Sequence, residues 1–203
     1  MLDVACGRGR HARILTEKGF DVTGIDLANE NIRFAKQFES EHLHFYTHDM
    51  RLPFWINYFH YAFNFFTSFG YFETRREHEN ALRSVAQSVK SGGTFVLDYL
   101  NAHYAEDHFV HQQEVMIDHV NFIITKWHDE THFYKKIIVE DEGLGAPLEF
   151  REKIAKFSLG DFTEMLSYHG LQVIQVFGDY NLSPYHIRNS PRILVISKKV
   201  RQV

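Results

Sequence analysis

The residues best equipped for chemistry stand together at the start of the chain, in the run Asp3-Val4-Ala5-Cys6-Gly7-Arg8-Gly9-Arg10-His11-Ala12. Glycines directly after a strand let the backbone turn tightly and let a ligand approach with no Cβ in the way. A helix starting there points its N–H groups and positive dipole end into the same space. Seventeen residues beyond Gly9 stands Asp26, read as the end of a second strand. A carboxylate in that place can accept hydrogen bonds from both hydroxyls of a ribose. The pattern describes a nucleoside-containing cofactor lying across the carboxyl ends of the first two strands. Gly7-x-Gly9-x-x-Ala12 also satisfies the loose dinucleotide fingerprint, which keeps an NAD(P)- or flavin-dependent oxidoreductase open. Asp3, four positions before Gly7, argues against it, because a carboxylate is out of place beside a pyrophosphate and suits a cationic ligand.

Other reactive side chains carry weaker signals. Cys6 reads as a small buried thiol packed beside the glycine turn, in preference to a nucleophile. Tyr71 is either a pocket wall or a group that orients or deprotonates a second substrate. Asp98-Tyr99-Leu100-Asn101 ends a strand, where α/β sheets place ligand-binding groups, so Asn101 is a candidate substrate contact, with Asp98 as a simple helix or loop cap the alternative reading. His103, His108 and His111 fit no standard metal-ligand spacing, so no metal is expected. Phe63, Phe65, Phe66 and Phe69 read as sheet core, with Phe66 and Phe69 able to reach a cofactor.

These residues need a scaffold that brings strand ends together. Met1 to Cys6 reads as the end of a buried strand and residues 10–18 as a helix stopped by Gly19. Phe20 to Ile25 is the second strand, ending at Asp26; Ile32, Ala35 and Phe38 mark the next helix. Leu43 to Thr47 and Tyr61 to Phe66 are strands three and four. Thr74-x-x-Glu77 is a capping-box signature opening a helix that runs to Val89. Ser91-Gly92-Gly93 turns the chain into strand five, Thr94 to Asp98. Strand and helix alternating four times predict a doubly wound, Rossmann-like α/β sheet, mostly parallel.

After Asn101 the rhythm changes. Val115–Val120, Phe122–Trp127, Phe133–Val139 and Leu148–Phe157 read as an inserted antiparallel sheet with a loop at residues 143–147. Ser158 with Asp161 opens a helix to Gly170, and Leu171–Phe177 and Arg192–Ser197 are the last two strands, making seven in the main sheet, with the last one expected antiparallel. The expected organisation is one domain over residues 1–203, with residues 108–158 as a β-rich insertion.

Composition narrows the partners. The 203 residues are enough for one α/β core, and 44% hydrophobic with 24% charged residues is ordinary for a globular domain. A formal charge of −4 gives no reason to expect a nucleic acid. No apolar stretch approaches the ~18–20 residues of a membrane span, and no secretory signal is evident. The single cysteine fits a reducing cytoplasm. A homodimer is left open.

Asp-Val-Ala-Cys-Gly-Arg-Gly-Arg-His resembles the first motif of class I S-adenosylmethionine-dependent methyltransferases, Asp/Glu-x-x-x-Gly-x-Gly. The resemblance implies that the acidic residue Asp3 and the turn at Ala5 and Gly7 bind the methionine end of the cofactor. It further implies that Asp26 binds the ribose, that Leu27 lies beside the adenine, and that Asp49-Met50 lies near the adenine amino group. Phe66-Thr67-Ser68-Phe69-Gly70-Tyr71, with Asp49-Met50-Arg51 and the inserted sheet, is similar to the small-molecule branch that includes amino-sugar N,N-dimethyltransferases. There this turn lines the gap between cofactor sulfur and acceptor, and the insertion roofs the substrate pocket as a lid. Members of the family carry a helix or two before strand one, whereas this chain begins inside the strand, implying truncation or an open pocket. His60 stands where many members carry an Asp.

The reaction so implied is in-line methyl transfer to a small-molecule acceptor, leaving S-adenosylhomocysteine. Most acceleration can come from holding nucleophile, methyl and sulfur collinear, and a base is needed only if the acceptor must lose a proton. Tyr71 and His103 are the candidates for steering the acceptor. Asn64-Phe65-Phe66-Thr67 does not match the Asn/Asp-Pro-Pro-Tyr signature of exocyclic-amine and glutamine methyltransferases. The alternatives are a cofactor-binding protein without catalysis and the nicotinamide enzyme.

Overall fold

A computed structural model describes residues 1–141, 143 and 145–200; Leu144, in the expected loop at 143–147, lies outside the described residues. The chain opens with strand β1 (Leu2–Val4), helix α1 (Arg10–Glu17), β2 (Val22–Asp26) and α2 (Asn29–Ala35). A 3₁₀ turn at Lys36–Phe38 leads to β3 (Leu43–Thr47), and β4 (Phe59–Asn64), α3 (Arg75–Ser88), β5 (Val89–Leu100) and α4 (Ala102–Asp107) follow. Four strands come next, β6 (Gln112–Ile117), β7 (Val120–His128), β8 (His132–Glu140) and β9 (Leu148–Ala155). Helix α5 (Leu159–Tyr168), β10 (Leu171–Phe177) and β11 (Arg192–Lys199) complete the fold.

The main sheet has seven strands in the order β10-β11-β5-β4-β1-β2-β3. Strands β1 to β5 run parallel to their neighbours, and β11 is antiparallel to both β5 and β10. That is the doubly wound, mostly parallel sheet that the alternation of elements predicted, with the expected antiparallel last strand. Cys6, Ala12, Val22, Ile32, Ala35, Leu43 and Phe45 form a core under α1 and α2. The larger core gathers Leu82 and Val85 of α3, Phe162 and Met165 of α5, and Phe95, Leu97 and Tyr99 of β5. Both capping boxes, Thr74 with Glu77 and Ser158 with Asp161, are formed.

Strand order reverses between β1 and β4, which opens a crevice at their carboxyl ends, the place where open α/β sheets bind ligands. Asn64 spans it, its Nδ2 donating to the Val4 carbonyl at 3.0 Å. Strand β4 stops at Asn64, two residues earlier than the aromatic run suggested, because Phe66 and Thr67 turn away from the sheet with left-handed backbone. The glycines after Ser91 make a bulge: Phe59 pairs with Val89 and Tyr61 with Thr94, so Lys90 to Gly93 loop out of the ladder. Helix α4 had no sequence signal.

The four inserted strands form a second, antiparallel sheet in sequential order. Its first hairpin turns at Asp118 and His119, both with positive φ, the backbone of a two-residue turn matched to strand twist. That turn falls where strand one of the insertion was expected to continue. The next hairpin is held by Asp129, whose Oδ1 accepts from the backbone N–H groups of Thr131 and His132, both at 2.7 Å.

Candidate active site at the switch point

Asp3 is the most unusual residue of the crevice. It is 2% exposed, and its Oδ2 has no hydrogen-bond partner among the described residues. Burial, opposed by the Ala12 N–H and reinforced by the charge of Asp26, pushes its carboxyl up to about 7. An unsatisfied buried carboxylate is costly and calls for a cationic or donor group from outside the chain. The glycines beyond it do different work. A Cβ on Gly7 would meet nothing within 4 Å, whereas one on Gly9 would strike the Phe45 ring at 2.5 Å. Gly7 therefore borders open space, and Gly9 lets α1 sit on β3.

Asp26 closes the turn. Its Oδ2 accepts from the Gly7 N–H at 2.9 Å and its Oδ1 from the Ala28 N–H at 2.8 Å. A carboxylate has about four acceptor sites, so capacity remains for two further donors. Leu27 beside it is exposed. Asp49 is clamped by the Arg51 guanidinium, with Nη2 to Oδ2 at 2.6 Å, which lowers its carboxyl. Met50 is half-buried against the large core.

Across the crevice, Phe66 and Thr67 have φ of 57° and 59°, a costly conformation for residues with side chains. The Phe66 N–H donates to Asp98 Oδ2 at 2.7 Å and the Thr67 N–H to the Asp98 carbonyl at 3.1 Å. The Phe66 ring stacks on His11 at 5.1 Å. Burial first, then the Arg10 charge, lower the His11 imidazole, so it is neutral at pH 7.

The turn continues into Gly70 and Tyr71 and meets the inserted sheet. The Ala155 N–H donates to the Gly70 carbonyl at 2.9 Å, and the Tyr99 hydroxyl donates to the Ala155 carbonyl. Next to this junction a cavity of about 390 Å³ opens between α4 and the inserted sheet, walled by Leu100, Tyr104, Phe109, Phe133, Lys126 and Glu152. Tyr71 is raised first by burial and then by the Glu152 charge, so it is a hydroxyl donor at neutral pH and no base. Lys126 and Lys135 stand directly opposite each other across β7 and β8. Lys135 pairs with Glu152 at 3.3 Å, which leaves Lys126 without an ion pair among the described residues.

A family model described as a methyltransferase domain matches residues 1–176. The chain belongs to this family. YqeM of Bacillus subtilis (strain 168), described as a methyltransferase, is 35% identical over 101 residues, which are 48% of this chain and 41% of that protein. The dTDP-3-amino-3,4,6-trideoxy-alpha-D-glucopyranose N,N-dimethyltransferase of Streptomyces venezuelae is 32% identical over 99 residues, again 48% and 41%. The matches thus span about two fifths of the length of these curated relatives. An S-adenosylmethionine-dependent methyltransferase of Clostridium acetobutylicum ATCC 824 shares the fold, with a TM-score of 0.85 over 98% of this chain and 83% of that one at 17% identity.

For this methyltransferase domain the crevice brings together Asp3, Ala5, Gly7 and Asp26 on one side and Phe66 on the other. Tyr71 follows Gly70 and stands near Glu152 of the inserted sheet. Two expected contacts are placed elsewhere. Asn101 is 1% exposed, and its Nδ2 donates to the Ile187 and Ser190 carbonyls at 2.9 and 2.8 Å; it ties down the β10–β11 loop instead of facing a substrate. His103 faces a hollow against α5 with Ser158 and Gly160, because the short α4 turns Tyr104 and His108 toward the cavity. Cys6 is buried, and burial pushes its thiol up, as a packing role requires. Among the described residues no three His, Cys, Asp or Glu gather as metal ligands, and no helix is long and apolar enough to cross a membrane. Sequence reasoning missed Arg192 and Tyr180, which lie far along the chain and carry no motif.

Proposed function

We propose that this domain binds S-adenosylmethionine and transfers its methyl group to a small-molecule acceptor. The buried Asp3 carboxylate with its unpartnered oxygen, beside the open face of Gly7, carries this reading. It fits the ammonium of the cofactor's methionine end and would repel a pyrophosphate, which disfavours the nicotinamide alternative. Bound here, S-adenosylmethionine supplies a sulfonium methyl group open to displacement. Asp26 holds the ribose, with Leu27 and Asp49-Met50 toward the adenine. Asp49 reaches the adenine amino group only with capacity that Arg51 leaves free.

Phe66 and Tyr71 line the way from the cofactor to the cavity under the inserted sheet, which we assign to the acceptor. Residues 108–158 serve as its lid within one domain. The amino-sugar dimethyltransferase relative supports an amine acceptor, and an amine can lose its proton after transfer. The Tyr71 hydroxyl, kept protonated by burial and the Glu152 charge, suits that chemistry, since its oxygen can accept from the amine N–H, leaving the lone pair free, and does not deprotonate the nitrogen. The lone cysteine supports a cytoplasmic setting, and the net negative charge supports a small acceptor over a nucleic acid.

Calorimetry tests the reading. S-adenosylhomocysteine should bind this chain, and Asp26→Ala should lose about 1–3 kcal/mol of affinity. NAD(H) binding more tightly than S-adenosylhomocysteine would sink it.

A further inference from the structure

A buried ion pair lies behind the Phe66–Thr67 turn. Asp98, at the carboxyl end of β5, is fully buried, and its Oδ1 accepts from Arg192 Nε at 2.8 Å and lies 2.6 Å from Nη2. Arg192 Nη2 also donates to Thr67 Oγ1 at 3.0 Å, and the same oxygen accepts from the Leu100 N–H at 3.0 Å. The remaining Asp98 oxygen takes the Phe66 N–H and, at 3.0 Å, the Tyr180 hydroxyl. Tyr180 belongs to a loop that holds itself. Asp179 Oδ1 accepts from the Asn181 and Ser183 N–H groups, and the Gly178 carbonyl accepts from the Arg192 N–H at 2.9 Å. The half-exposed Tyr180 ring lies 5.7 Å from the Phe66 ring, and the Arg192 guanidinium sits 5.7 Å from the Tyr180 ring.

Two strained backbone residues persist only where the surroundings over-determine them. Here the bonds that do so converge on one residue: the Asp98 carboxylate takes the Phe66 N–H and the Asp98 backbone carbonyl the Thr67 N–H, and that carboxylate is neutralised by one arginine from the other end of the chain. A buried carboxylate stripped of its partner is strongly destabilised, so Asp98 and Arg192 act as a unit.

We propose that Asp98, Arg192 and Tyr180 are positioning residues that set the Phe66–Thr67 turn at the sulfur end of the cofactor. Asp98 holds the turn's N–H groups, Arg192 fixes Asp98 and the Thr67 hydroxyl, and Tyr180 backs the Phe66 ring from the β10–β11 loop. This rests on the S-adenosylmethionine reading above.

Two measurements on Arg192→Gln, Arg192→Lys and Tyr180→Phe test it. The first is hydrogen exchange at the Phe66 and Thr67 amides without ligand. The second is calorimetric affinity for S-adenosylmethionine and S-adenosylhomocysteine. The two ligands differ only at sulfur, so their affinity ratio reports the surroundings of that atom, and general destabilisation weakens both alike. Arg192→Gln should speed exchange at both amides at least about tenfold and shift the ratio at least about threefold. Arg192→Lys should restore part of each, because one charged donor is kept. Tyr180→Phe removes a single hydroxyl from a half-exposed ring and should shift both readouts in the same direction, by less; it stands in if Arg192→Gln fails to fold. A parent that binds both ligands while folded variants change neither exchange nor ratio overturns the proposal alone. A parent that binds neither ligand removes the cofactor reading and the proposal with it.

Discussion

Asp3 is held in a state the folded chain does not favour on its own. Its carboxyl is pushed up to about 7 in the fold from the ordinary 3.8. Between those values the unfolded chain releases a proton that the folded chain keeps, so stability falls as pH rises through that window and levels off above 7. At about 1.4 kcal/mol per tenfold change, the deficit reaches at most roughly 4 kcal/mol. Asp3→Asn should therefore stabilise the free protein by about 1–3 kcal/mol at pH 8, leave it unchanged near pH 3, and abolish S-adenosylhomocysteine binding. Thermal melts across pH, with and without ligand, check all three. In the parent, affinity should drop about tenfold per pH unit below 7, as protons compete with the ligand's ammonium for Asp3; a flat profile in calorimetry would break the assignment. The glycines separate in the same way. Gly7→Ala should fold, at a cost of about 1 kcal/mol for its left-handed backbone, yet fail to bind. Gly9→Ala should lose several kcal/mol through the Phe45 clash, as judged by denaturant unfolding.

Among the elements, the capped helices were the most legible. Thr74-x-x-Glu77 and Ser158 with Asp161 are local signals, since each side chain bonds backbone three residues away, and both form. Thr74→Ala should cost about 1 kcal/mol in chemical denaturation and leave cofactor affinity alone. Strand ends were less legible. Phe65 and Phe66 have the aromatic character of a strand, and Asp98, thirty-two positions on from Phe66, holds the turn that leaves the sheet, its carboxylate taking the Phe66 N–H and its carbonyl the Thr67 N–H. Helix α4 is six residues long, too short to show a period, and it was missed for that reason.

In the whole molecule, the inserted sheet touches the main domain through few groups. Lys156 is one of them. Its ammonium binds the Glu106 carboxylate, donates to His128 Nδ1 at 3.1 Å, and lies 4.7 Å from the Phe133 ring centre. Lys156→Met leaves Glu106 facing a mostly buried apolar chain. It should speed amide exchange across β7, β8 and β9 severalfold while β1, β4 and β5 stay protected. Equal loosening of both sheets would show that they unfold as one unit.

What the sequence by itself determined was the set of features written in short spacings: the glycine turn with Asp3 and Asp26, the capped helices and the alternation of a doubly wound fold. Each depends on backbone geometry or periodicity within a few dozen residues, so neighbours in the chain suffice to specify it. Tertiary structure alone decided the rest. Arg192 meets Asp98 and Thr67 only because β11 pairs antiparallel with β5, placing residue 192 against residue 100. Asn101, read at a strand end as a substrate contact, is tied to the Ile187 and Ser190 carbonyls, and His103, read as steering the acceptor, faces a hollow against α5. Which way a side chain points at a strand end is set by the loop packed upon it, here residues 187–190, and no spacing within the chain encodes that.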